Sequence, residues 1–97
     1  MSPPIVIRPE AEADALAARE WYDERQDGLG QRFGQAVVDL LERIAVNPLV
    51  YPRVHRDTRR AVLSGFPCAI YFRVHEETLV VVAVHGRQHP RHWQGRT

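Results

Sequence analysis

The sequence contains no lysine, so all 13 of its basic residues are arginines. Its single cysteine, Cys68, excludes an intrachain disulfide and a cysteine-based zinc site, and it favours a reducing, cytoplasmic setting. The longest apolar run, residues 79–84, has six residues, whereas a membrane-spanning helix needs roughly 20. The first residues lack the basic and apolar segments of a signal peptide. Together these absences predict a cytoplasmic globular protein that makes no membrane contact.

The charges that are present are segregated along the chain. The formal net charge is only +1, but residues 1–50 carry five arginines and nine acidic residues, and residues 51–97 carry eight arginines and three acidic residues. This split predicts a polarised surface or two different partners. Because genomic base composition can also favour arginine, the position of the charges is the stronger evidence. The length of 97 residues predicts one domain, residues 1–97.

The hydrophobic pattern predicts an α+β domain with the element order β-α-α-β-β-β. Two helices are expected, from residue 9 to about 25 and from near residue 30 to residue 47, where Asn47-Pro48 ends the second. Strands are expected at residues 5–7, 59–64, 68–75 and 78–85. A short link between the helices predicts an antiparallel hairpin, which would cover one face of a mainly antiparallel sheet.

Residues 85–97 hold three arginines, three histidines and a tryptophan, with no acidic residue. Such a segment suits phosphate groups or an acidic protein, and a solvated tail is the alternative. A metal site built from His85, His89 and His92 is not expected, because Pro90 interrupts their spacing, their neighbours are cationic, and no carboxylate is expected near them to orient the rings. The sequence also contains no complete cofactor-binding motif, so no cofactor is predicted.

Several short motifs occur in an order and spacing that cover nearly the whole chain. They are Pro9-Glu10-Ala11-Glu12-Ala13-Asp14, Trp21-Tyr22, Gly28-Leu29-Gly30 with Phe33, Asn47-Pro48 with Tyr51-Pro52, Arg59-Arg60, Phe66-Pro67 with Ile70-Tyr71-Phe72-Arg73-Val74, and His85-Gly86-Arg87 with Pro90 and Trp93. The sequence thereby resembles the RelE/ParE superfamily of bacterial toxins from type II toxin–antitoxin systems.

This resemblance implies a compact sheet with a helical hairpin and a role in growth inhibition or plasmid stabilisation. It also implies a cognate antitoxin, encoded beside the toxin, that neutralises it in a hetero-oligomer. The antitoxin is expected to contact Phe33 and Val37 with apolar side chains and Arg59, Arg60 and Arg73 with acidic ones. The superfamily includes RelE-like members, which cleave messenger RNA on the ribosome, and ParE-like members, which poison DNA gyrase.

The departures from the RelE-like pattern favour a ParE-like gyrase inhibitor that is not an enzyme. The lysines typical of RelE-like members are absent, and Ala69 aligns with their catalytic arginine. Trp93 falls near their terminal tyrosine, but an indole cannot transfer a proton as a phenol can. Contacts to gyrase are expected from Arg87, Arg91 and Trp93.

Two alternatives remain open from the sequence. In a ribosome-dependent endoribonuclease, phosphate would be bound and protons moved by Arg59, Arg60, Arg73, Arg87, His85 and His89. In a toxin homologue without lethal activity, antitoxin binding alone would remain.

Overall fold

The computed structural model describes residues 3–86, which form two helices and a five-stranded sheet. The elements are β1 (Ile5–Ile7), α1 (Pro9–Arg25), α2 (Leu29–Val46), a 3₁₀ turn (Pro48–Val50), β2 (Arg53–His55), β3 (Thr58–Val62), β4 (Cys68–His75) and β5 (Thr78–Gly86). The sheet order is β1-β5-β4-β3-β2. β1 is parallel to β5, and every other pair is antiparallel. The predicted α+β class and helical hairpin are therefore confirmed, and within residues 3–86 no helix is long and apolar enough to cross a membrane.

The two helices begin and end where the sequence chemistry predicts. Pro9 occupies the first position of α1, where its missing N–H costs nothing because the first turn has no intrahelical acceptor for it. Gly28 precedes α2 with a φ of 84°, a left-handed conformation that glycine adopts without a steric penalty. The connection between the helices is therefore a tight turn at Gly28.

Each helix covers the sheet with the apolar stripe that its periodicity predicts. From α2, Phe33, Leu40 and Ile44 are buried against the sheet residues Ile70 and Phe72. From α1, the small side chains Ala11, Ala15 and Ala18 join the same core and permit a close helix–sheet approach. The rings of Tyr22, Phe33 and Phe66 close one end of this core, with centroids 5.0–5.4 Å apart.

Strand β4 is buried on both of its faces, as a strand in the middle of the sheet must be. Cys68, Ile70 and Phe72 face the helices, whereas Ala69 and Tyr71 form a second small cluster with Ala83 of β5. The pairing of β4 with β5 shifts after Tyr71, so that one additional residue of β5, Val82, is inserted there. Such a bulge locally increases the strand twist.

The sequence does not predict β2. It has only three residues, two of them polar, and its pairing with β3 is irregular between Arg53 and His55. So short a strand carries too little periodicity to be recognised and forms only because β3 offers it a free edge.

The hairpin between β4 and β5 stores strain in its two turn residues. Glu76 and Glu77 have φ values of 46° and 66°, and such a turn prefers Asn-Gly. We expect the double substitution Glu76→Asn/Glu77→Gly to stabilise the domain by about 1–2 kcal/mol, because it relieves the left-handed strain at both positions. Urea denaturation would show a higher midpoint at unchanged m-value. An unchanged or lower midpoint would contradict this origin of the strain.

Candidate functional site

Two of the predicted site arginines lie together on the sheet face that is turned away from the helices. Arg60 of β3 pairs with Tyr71 of β4, and Arg73 lies two residues further along β4. Tyr71 belongs to the cluster opposite the helix-covered core, which puts both arginines on that face. Diagonal neighbours of this kind are on the order of 7 Å apart, so their guanidinium groups can bind one anionic partner together.

Arg73 holds a buried donor that has no acceptor in the described part of the chain. Its Nε atom is buried and has no hydrogen-bond partner among the residues that the structure describes. A buried donor without a partner costs free energy, so a carboxylate or phosphate acceptor at this side chain would be favoured.

Arg59, the third arginine of the predicted set, lies on the opposite face and holds the chain after α2. Its Nη1 donates hydrogen bonds to the carbonyl oxygens of Leu49 (3.2 Å) and Tyr51 (2.6 Å). It shares its face with Ala61 and Phe72 of the helix-covered core. The structure therefore separates Arg59 from Arg60 and Arg73, and its bonds to two carbonyls give it a structural role.

His85 is paired with a carboxylate that the sequence did not place near it. Its Nε2 lies 3.5 Å from Oδ2 of Asp14 on α1, and both side chains are largely buried. The same Oδ2 accepts a hydrogen bond from the backbone N–H of Val84 at 3.2 Å. β1 pairs with β5 only as far as Val81, so the backbone of β5 beyond Val81 has no neighbouring strand on that side within residues 3–86. The Asp14 carboxylate accepts the hydrogen bond from Val84 that a strand would otherwise accept. The expectation that no carboxylate would lie near this histidine is therefore wrong.

A cleft of about 420 Å³ opens beside this pair, between α1 and the end of β5. Trp21 is half exposed on its rim, with the guanidinium of Arg25 stacked 3.3 Å from the ring centroid. Burial raises the pKa of Tyr22 above its usual value, and burial also raises the pKa of Cys68 to about 11. The thiol is therefore buried and protonated at neutral pH.

A second cleft, of about 610 Å³, lies on α2 beside the β3–β4 connection. It is lined by Ala36, Asp39, Glu42, Arg43, Val46 and Ser64. Val46 of its lining is 79% exposed, and Leu49 and Val50 of the 3₁₀ turn that follows α2 are 65% and 66% exposed. We call these three side chains the α2 apolar patch.

The remaining predicted site residues fall into two groups. Phe33 is only 1% exposed and packs inside the core, so it offers no surface to an antitoxin, whereas Val37 is partly buried beside it. The others, Arg87, His89, Arg91 and Trp93, lie outside the described residues. Within residues 3–86, no group of three or more potential metal ligands comes together.

The sequence also gave no sign of the role of Asp23. Its Oδ1 accepts a hydrogen bond from the backbone N–H of Gly30 at 3.0 Å, within the first turn of α2. The carboxylate thus caps one helix from the other, where the helix dipole also favours a negative charge. The seven-residue separation gives no local signal, because the contact exists only once the hairpin has formed.

Comparison with known proteins agrees with this architecture. Residues 5–90 match the family described as ParE toxin of type II toxin–antitoxin system, parDE. A chain from the chromosomal ParDE TA system of P. aeruginosa has a similar structure, with a TM-score of 0.78 and 16% identity over 88% of this chain and 96% of that one. A chain from the RelBE2 toxin–antitoxin complex of Mycobacterium tuberculosis is also similar. Its TM-score is 0.64 and its sequence identity 19%, over 90% of this chain and all of that one. No match was found among curated protein sequences.

The family match covers most of the chain and includes both helices and all five strands. The structural matches, at identities below 20%, support the same fold independently of sequence. The chain therefore belongs to the ParE toxin family of type II toxin–antitoxin systems.

Proposed function

We propose that this toxin arrests growth by poisoning DNA gyrase through protein contacts, without catalytic chemistry of its own, and that it acts in the cytoplasm. The alternative is the RelE-like activity, ribosome-dependent cleavage of messenger RNA. The ParE family match and the higher structural similarity to the ParDE chain favour the gyrase target.

The observation that carries this proposal is the dispersal of the candidate nuclease residues. Arg59 is bound to two backbone carbonyls on the helix side of the sheet, away from Arg60 and Arg73. His85 is paired with Asp14. A ribonuclease needs acid, base and phosphate-binding groups held around one scissile bond, and among the residues that the structure describes Arg59 does not join Arg60 and Arg73 in such a group.

We further propose that a cognate antitoxin binds Arg60 and Arg73 with acidic side chains. The support is the shared face of the two arginines, the buried Nε of Arg73, and the antitoxins named in the complexes of the similar structures. Guanidinium groups bind carboxylates through paired hydrogen bonds, and these strengthen when water is excluded. The proposed contacts to gyrase are then made by Arg87, Arg91 and Trp93.

A gyrase assay tests the target directly. We expect the purified toxin to block supercoiling of relaxed plasmid and to trap linear, cleaved DNA, and we expect messenger RNA in a translation extract to stay intact. Normal supercoiling with cleaved messenger would instead support the RelE-like alternative. If neither activity appears while antitoxin binding is retained, the chain is a homologue without lethal activity.

Variants of the C-terminal segment test which residues contact the target. Arg87→Ala and Trp93→Ala should each weaken gyrase inhibition by at least about tenfold, the scale of a buried arginine or tryptophan at an interface. The matched control is Arg53→Ala, which removes an exposed arginine paired only loosely with Asp57 at 3.9 Å. Equal inhibition by all three variants would contradict the proposed contacts.

A further inference from the structure

We infer that the toxin forms a two-fold dimer in which β1 pairs with β1 of a second copy. β1 lies at one end of the sheet order, and among residues 3–86 no strand pairs with it on the side away from β5. Such an edge presents unpaired backbone groups to other chains. The inference concerns self-association and does not depend on the proposed target or on the antitoxin.

The hydrogen bonds of β1 show which of its backbone groups are available for this pairing. The carbonyl of Pro4 accepts an N–H of β5 at 2.9 Å, and the N–H of Arg8 donates to a β5 carbonyl at 3.1 Å. Because the hydrogen-bonding direction alternates along a strand, Val6 also points its backbone groups toward β5. Ile5 and Ile7 therefore direct their N–H and C=O groups outward, away from β5.

The sequence around β1 is nearly palindromic, which defines the register of the pairing. Residues 3–9 read Pro-Pro-Ile-Val-Ile-Arg-Pro, with Val6 at the centre. In a two-fold contact, if one residue meets a second, the second also meets the first. With the axis at Val6, Ile5 faces Ile7 of the second copy and exchanges both backbone hydrogen bonds with it, and the reciprocal pair does the same.

The flanking prolines disfavour the neighbouring registers. Pro3 and Pro9 have no N–H, and in the register centred on Val6 they oppose each other, so no isoleucine carbonyl loses a donor. A shift of two residues in either direction would place a proline opposite an isoleucine, whose carbonyl would then lack its hydrogen bond. The register with the axis at Val6 is therefore the one that pairs isoleucine with isoleucine on both sides.

The side chains of β1 suit contact with an identical strand. Ile5 and Ile7 lie on the helix side of the sheet, because their partners in β5 belong to the helix-covered core. Val6 lies on the opposite face. The exposed fractions are 39% for Ile5, 44% for Ile7 and 50% for Val6. Pairing would cover apolar area on both faces of the sheet and would place no charged residue of β1 opposite another.

The dimer is expected to be weak, because β1 supplies only three residues from each copy. A stable interface buries roughly 800 Å² on each partner, which is more than these residues provide. We therefore expect a dissociation constant on the order of 10 µM. The two-fold axis of an antiparallel strand pair is perpendicular to the sheet, so both copies would present Arg60 and Arg73 on the same side of one continuous sheet.

Sedimentation of the purified, full-length toxin tests this inference. Wild-type toxin should change from monomer to dimer as its concentration rises from about 1 to 300 µM. Because Val6 would face itself across the axis, Val6→Lys and Val6→Glu should each weaken the dimer at least about tenfold, through like charges directly opposite each other. An equal mixture of the two variants should associate at least about fivefold more tightly than either variant alone, because opposite charges then meet.

Two control variants locate the contact. Val62→Lys charges a 39% exposed valine on the same face of the sheet as Val6, and Val46→Lys charges the most exposed member of the α2 apolar patch. Both should change the dissociation constant of the dimer less than about twofold. A lowering of the Tm by less than about 3 °C in each variant, measured at low concentration, shows that the fold is intact.

Hydrogen exchange of the wild-type toxin tests the same contact without any substitution. The N–H groups of Ile5 and Ile7 should exchange more slowly at high than at low protein concentration, because only the dimer protects them. The N–H of Val6 points to β5 and should be equally protected at both concentrations.

Four results would overturn the inference. A wild-type toxin that stays monomeric over this concentration range excludes the dimer. A dimer that Val6→Lys leaves intact, or that Val46→Lys abolishes, forms through another surface. If the mixture of Val6 variants associates as weakly as each variant alone, the axis does not pass through Val6. Equal exchange of the Ile5 and Ile7 N–H groups at both concentrations excludes pairing through β1.

Discussion

Replacing Gly30 by alanine should destabilise the toxin by about 3 kcal/mol, because the two helices meet at this residue. A Cβ atom there would lie 2.5 Å from the backbone oxygen of Arg19 and 3.0 Å from Cγ of Asp23. The backbone of α1 cannot yield locally, so the helices must separate. Separation also weakens the bond from the Gly30 N–H to Asp23. Thermal unfolding should show a Tm lower by at least about 10 °C.

Gly34, one turn later in α2, is the matched control for this substitution. The nearest atom to a Cβ at Gly34 would be the flexible Nη1 of Arg19 at 3.7 Å, an ordinary contact. Gly34→Ala should therefore stabilise α2 by about 1 kcal/mol through helix propensity alone. The diagnostic result is a lower free energy of unfolding for Gly30→Ala and a higher one for Gly34→Ala. A stable Gly30→Ala protein would mean that the helix contact is looser than described.

Removing the carboxylate of Asp14 should cost about 3 kcal/mol, because the N–H of Val84 loses its acceptor and His85 loses the carboxylate beside it. The N–H of Val84 is left without its 3.2 Å hydrogen bond, and His85 loses the oxygen 3.5 Å from its Nε2. Asp14→Asn, which keeps one oxygen acceptor, should cost less than Asp14→Ala. Urea denaturation at pH 7 measures the free energy of unfolding of both Asp14 variants. The control is Glu20→Ala, at an exposed position on the same helix, which should change that free energy very little.

His85→Gln, alone and combined with Asp14→Ala, distinguishes a structural role of His85 from a catalytic one. If the imidazole serves the fold, His85→Gln should lower stability, and a double-mutant cycle with Asp14→Ala should show coupling of about 1 kcal/mol or more. If it instead moved a proton in RNA cleavage, His85→Gln would abolish cleavage at nearly unchanged stability. Additive losses in the cycle would contradict the pairing.

The sequence predicted the elements because their signals are local. The stripe of Phe33, Leu40 and Ile44, the Asn47-Pro48 stop and the continuous apolar run in β5 each lie within one segment, and the structure confirms the helices and long strands that they indicate. β2 was missed for the same reason, since three residues with an irregular pairing have no pattern of their own.

The candidate site was predicted less completely. Arg59, Arg60 and Arg73 formed one set in sequence, but strand alternation places Arg59 on the helix side and the other two on the opposite face. Phe33 looked like a surface anchor but faces the core, because α2 turns its most apolar stripe to the sheet. The cleft on α2 could not be predicted from the sequence, because its lining combines residues of α2 with Ser64 from the distant β3–β4 connection.

The amino-acid sequence alone determined the α+β class, the helical hairpin and the ParE-like pattern, because helix and strand periodicity and turn chemistry act between near neighbours. Only the tertiary structure decided that Asp14 closes the edge of β5, that Asp23 caps α2, and which arginines share a surface. These contacts join residues from different elements. Their existence depends on how the helices pack across the sheet, a relation that no short stretch of sequence contains.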